Sequence, residues 1–119
     1  MPDFIIKERD YDKVPDLLTT EVPGFSESEE YRLLDPEDRK VPGLITAAFT
    51  RYCEGLEEAG ALERCYAVIE KLASSSDPEV KNLVVTEIFE NLRGSDESLR
   101  KIKEQLGPES RRLYQKWME

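Results

Sequence analysis

The groups in this 119-residue chain that could do chemistry are 26 acidic side chains and two cysteines. Histidine is absent, which removes Ser-His-Asp and Cys-His nucleophiles and nearly every zinc-enzyme constellation at once. Two carboxylates could serve as general acid and base, but only where one is embedded in an apolar run whose burial raises its pKa. No carboxylate here has that setting. Glu54, Glu57 and Glu58 lie at the polar end of a helical pattern, and Glu87 and Glu90 flank an apolar stripe, so all five read as solvated helix faces. Cys53 and Cys65 have no neighbouring base and no metal-ligand spacing. Each falls on or beside an apolar stripe, as buried thiols of a reducing cytosol do. The chain has no GxxxxGK[ST] or GxGxxG loop for phosphates. Its DPED cluster (residues 35–38) carries Pro36 where a calcium loop needs ligands and a glycine. The expectation is a protein that is not an enzyme and has no cofactor and no metal.

Binding is the remaining class, and charge narrows it. The formal net charge is −9 and the pI near 4.7, the opposite of what nucleic-acid phosphates or an anionic membrane surface demand. Such a field favours a basic protein partner and speeds its encounter. The charge is also segregated: residues 98–119 carry six basic and three acidic groups, so the acidity belongs to the first 97 residues. No signal peptide and no apolar run of about 20 residues is present, so a cytoplasmic protein is expected.

The elements that must position these charges follow from periodicity. Residues 61–92 read as two amphipathic helices joined by Ser74-Ser75-Ser76, too short a break for anything but an antiparallel return. Asp77 is the expected N-cap of the second helix, Pro78 suits its first turn, and Gly94 its end. Before this hairpin, residues 14–22 and 43–58 show helical stripes, with Pro15 in the first turn of the former and Gly60 separating the latter from the hairpin. After it, helices are expected from Ser95 or Asp96, with Leu99, Ile102 and Leu106 inward, and over residues 109–118 beyond the Gly107-Pro108 break. Residues 25–42 are the least regular part. There Ser26 and Glu29 fit a capping box opening a helix from Glu27 to Leu34. Phe4, Ile5 and Ile6 suit a short arm. The fold class is all-α: a single compact domain over 1–119, an antiparallel bundle of roughly five to seven helices with HEAT-repeat-like hairpins, monomeric when free. Its core is expected to comprise Leu44, Ala48, Phe49, Tyr52, Leu56, Leu62, Cys65, Ile69, Leu72, Val80, Leu83, Val84, Ile88, Phe89 and Leu92.

Two stretches, ERCYAVIEKLASSSDPEVKNLVVTEIFENL and LGPESRRLYQKW, resemble in order and spacing a family of small uncharacterised bacterial all-helical proteins of the toxin-immunity type, over residues 61–117. That resemblance implies a stoichiometric protein binder whose partner is a basic toxin domain. The alternatives are a helical scaffold or adaptor and a regulator of a cellular enzyme. For an immunity-type binder the expected contact is the acidic irregular segment, through Glu27, Glu29, Glu30, Asp35, Glu37 and Asp38, with Tyr31 as an apolar anchor. A rival surface is Glu54, Glu57 and Glu58 with Glu63, at the turn before the hairpin.

Overall fold

The computed structural model describes residues 10–92 and 104–118, Leu92 by its backbone only. Among them every regular element is helical. The first helix, α1 (Asp10–Glu21), buries Val14 and Leu18. Its stripe continues through Val22 and Phe25, each 2% exposed or less, although the helix itself stops at Glu21. Pro23 lacks the N–H that would continue the ladder, and it opens the single turn α2 (Pro23–Ser26) instead. The helix begins earlier than the sequence suggests, so Pro15 sits inside it rather than in its first turn.

One turn of helix, α3 (Glu29–Arg32), and a 3₁₀ turn (Asp38–Lys40) lead into α4 (Pro42–Glu54). After Gly55–Glu58 comes α5 (Ala59–Ala73), then α6 (Pro78–Leu83), which runs through a π-helical segment (Val84–Phe89) into the short α7 (Glu90–Leu92). The final helix, α8, spans Pro108–Met118. α4 thus ends a turn early, and Gly60 lies within α5 rather than before it.

The expected hairpin forms. Asp77 Oδ1 accepts from the Glu79 amide at 3.0 Å and Pro78 follows at the first helical position. Its other oxygen accepts from the Tyr11 amide at 3.1 Å, so one cap also ties α1 to the hairpin turn. Cys65, Val68, Ile69 and Leu72 of α5 share one core with Val80, Leu83, Val84, Ile88 and Phe89. Phe89 is fully buried, edge-on to Tyr114 at 5.2 Å and tilted against Trp117 at 5.7 Å, which is how α8 docks.

Leu44 is the clear departure from the expected core: it is 45% exposed. The inward face of α4 is Ile45, Thr46, Ala48, Phe49 and Thr50, rotated away from Leu44 toward the two threonines. The reason is a hydrogen bond that hydrophobic periodicity does not register. Thr50 Oγ1 donates to the Glu87 carbonyl of the π segment at 2.9 Å, drawing that edge of α4 inward. Tyr52, Leu56 and Leu62 are half-buried at the margin of the core. Gly94, the helix with Leu99 and Ile102, the N-terminal arm and the Leu92 side chain lie outside what is described. Leu106 is buried, as expected. No described helix is long and apolar enough to cross a membrane.

Candidate functional site

The acidic segment is organised from Phe25 outward. Phe25 is 0% exposed and meets Phe49 at 5.4 Å, Tyr31 at 5.4 Å and Tyr52 at 5.6 Å. Burying it consumes Pro23–Ser26 as a turn of its own, which moves the cap of the next helix. Ser28, not Ser26, caps α3: its hydroxyl accepts from the Tyr31 amide at 3.3 Å and donates to the Phe25 carbonyl. The expected helix from Glu27 to Leu34 therefore shrinks to the one turn of α3.

Arg39 closes the segment on itself. Its guanidinium lies 4.6 Å over the Tyr31 ring and donates from Nε to the Tyr31 carbonyl at 3.3 Å and from Nη2 to the Arg32 carbonyl at 3.4 Å. A cation at carbonyls ending a helix is favourable on electrostatic grounds as well. Tyr31 is thereby held on one side by Phe25 and on the other by Arg39. It is half-buried and braces the segment from within. Around it Glu27, Glu29, Asp35 and Glu37 are exposed, and Glu30 and Asp38 are half-exposed.

The rival residues Glu54, Glu57, Glu58 and Glu63 are all exposed. Both acidic surfaces act electrostatically on Tyr52. Its phenol pKa is raised first by burial, then by the charges of Cys65 and Cys53, and also by those of Glu30 from one surface and Glu58 from the other. The Tyr52 hydroxyl sits so close to α2 that a Cβ added at Gly24 would lie 2.7 Å from it. Tyr52 thus packs against α2, with Phe25 at 5.6 Å, while carrying the electrostatic influence of a carboxylate from each stretch. Tyr52 and Arg39 are the residues that sequence reading misses as organisers. The run of charges in DPEDRK masks Arg39, and the apolar stripe of α4 masks Tyr52.

The cysteines are free thiols, Cys65 buried and Cys53 half-buried. Burial, a hydrogen bond to Cys65 and the Cys65 charge push the Cys53 thiol up, so it stays protonated. Tyr66, desolvated beside both, is pushed up to about 12. Cys53 and Tyr66 are thereby poor nucleophiles, whereas the hydrogen bond with Cys53 outweighs burial and lowers the Cys65 thiol. Glu54 is raised by burial against the opposing effect of Arg51. Among the described residues no group of three or more His, Cys, Asp or Glu could hold a metal ion. A cleft of about 270 Å³ between α1 and the hairpin is lined by Asp10, Lys13, Leu17, Lys71, Leu72, Ser74, Ser75 and Val80. Within it Ser75 donates to Asp10 at 2.7 Å, and Lys71 pairs with Glu21, which lies outside the lining, at 2.6 Å.

A family described as a domain of unknown function (DUF7674) matches residues 15–119. The chain belongs to this family. The DUF7674 match takes in both acidic surfaces, the hairpin and α8, and extends well beyond the 61–117 stretch on which the sequence resemblance rests. It carries no toxin or immunity assignment for DUF7674. Nothing among curated proteins and nothing among solved structures matches the chain significantly.

Proposed function

We propose that this DUF7674 protein is a non-catalytic binding protein. In this reading it is an immunity protein that neutralises a bacterial toxin by stoichiometric contact in the cytoplasm, as a monomer when free. The observation that carries the reading is the acidic segment after α2. Its carboxylates project from a backbone fixed by the Ser28 cap, the Phe25–Tyr31 contact and the Arg39 clamp. A surface ordered before binding loses less entropy on association, and a dense negative field steers a basic partner. The hairpin of α5 and α6 serves here as a HEAT-like unit, a rigid support whose own faces are committed to the core.

The test is a pull-down with the full chain from its source cells, with mass identification of what is retained and of the gene beside it. A basic toxin domain bound one to one supports the reading. Capture of a cellular enzyme or of a multiprotein assembly instead points to a regulator or a scaffold. Capture of nothing removes the binding reading.

A further inference from the structure

We infer that Leu33, with Val41 and Leu44 beside it, is the apolar centre of a docking surface for a basic protein segment, with the acidic residues of 27–38 as its rim. This rests on the binding role proposed above and names the centre of the contact. Among the described residues the exposed large apolar side chains are Leu33 at 77%, Val41 at 42%, Leu44 at 45% and Met118 at 53%. Three of the four fall between residues 33 and 44, inside the segment that also carries the acidic charge.

Their backbone is fixed. The Leu33 amide donates to the Glu29 carbonyl at 2.9 Å and the Leu34 amide to the Tyr31 carbonyl at 3.1 Å, so Leu34 packs against the core while Leu33 points out. The Val41 amide donates to the Asp38 carbonyl at 3.0 Å, and Val41 and Leu44 share a face three residues apart at the start of α4. The Arg39 clamp ties the 3₁₀ turn to the end of α3, which brings the stretches carrying Leu33 and Val41 together. Exposed apolar groups rimmed by charge mark interaction surfaces. With Tyr31 engaged internally, Leu33 takes the place of the anchor. The rim sets the sign of the partner: residues 27–40 hold six carboxylates against three cations, and Arg39 is turned inward. Nucleic acid and anionic lipid are repelled. A protein segment pairing lysine or arginine with an apolar side chain fits both features.

The probe is a synthetic amphipathic helical peptide of leucine and lysine, titrated into the isotopically labelled full chain and followed by amide shifts. The shifts should concentrate on residues 29–44. At high salt, where rim charges are screened, Leu33→Ser should weaken binding about tenfold. Glu29→Gln with Glu37→Gln should weaken it chiefly at low salt. Leu33 is mostly in solvent, so its variant should melt with the parent. Shifts concentrated on residues 54–63 or on α8, or an unchanged affinity for Leu33→Ser, overturn the inference. The two proposals can fail apart. A partner captured by the parent chain together with unaltered peptide binding by Leu33→Ser removes the apolar centre alone, whereas capture of nothing removes the binding role and this centre with it.

Discussion

Glu70 caps a helix it does not belong to. From α5 its Oε1 accepts from the Ser110 amide at 2.8 Å and the Ser110 hydroxyl at 2.7 Å, and its Oε2 from the Glu109 amide at 2.9 Å. These are the orphan donors at the start of α8, where negative charge is favoured. Burial pushes the Glu70 carboxyl up, but the Ser110 hydroxyl and the two amides outweigh it, and the net direction is down. A depressed folded-state pKa gives stability that is present above the ordinary carboxylate value and lost as pH falls through the lowered one. Glu70→Gln should cost about 1–2 kcal/mol near neutrality, and the gap to the parent should close in acid. Denaturant melts over that range check it; a gap that stays constant into acid would show that the charge is not the cause. Gly107 belongs to the same device, since a Cβ there would lie 2.6 Å from Glu70 Oε1. Gly107→Ala should therefore destabilise by displacing Glu70, and the double variant should cost less than the sum of the two. Charge segregation in the sequence hints that the C-terminal region lies on an acidic body, but the charged contact that joins the aromatic packing of α8, one carboxylate on one helix start, is not a periodic feature and is not legible there.

At the scale of elements, what is legible is whatever apolar spacing and caps encode. The hairpin, the Asp77 cap, the Gly107-Pro108 break and the last helix all follow from such signals. Phe89→Ala should cost about 3–5 kcal/mol through lost burial and a cavity, with Tyr114 and Trp117 losing their contact. The phase of α4 is not legible, because it is set by polar atoms. Thr50 Oγ1 lies within hydrogen-bond distance of the Thr46 carbonyl at 3.0 Å as well as that of Glu87, while Thr46 Oγ1 is fully buried with no partner among the described residues. These two threonines should respond oppositely to the same change. Thr50→Val removes the buried donor to the Glu87 carbonyl, which keeps the Asn91 side-chain amide, and should destabilise by about 1 kcal/mol. Thr46→Val removes an unsatisfied hydroxyl and should be neutral or stabilise by up to about 1 kcal/mol. Paired melts of the two valine variants decide this, and equal losses at both sites would mean that packing, not hydrogen bonding, orients α4. The shift of the α3 cap from Ser26 to Ser28 has a similar origin. Local motif matching finds a capping box, but the tertiary demand to bury Phe25 decides the register.

For the whole molecule, the two acidic stretches are separate in sequence, yet a carboxylate of each, Glu30 and Glu58, acts electrostatically on Tyr52. That shared influence is out of reach of sequence reading, which sees them as competitors. It turns the question of which stretch binds into one of how far a single contact extends. Charge at an interface rim acts mainly on association rate, and salt screens it. The most direct measurement is the association rate of the captured partner with the parent chain and with a Glu29→Lys, Glu30→Lys, Asp38→Lys variant whose melting matches the parent, at low and high salt. The variant should associate at least about tenfold more slowly at low salt, and the difference should shrink as salt rises. Reversing Glu54 and Glu57 should slow association as well, but less. Unchanged rate and unchanged salt dependence in the folded triple variant would contradict the account and leave the segment as a connector.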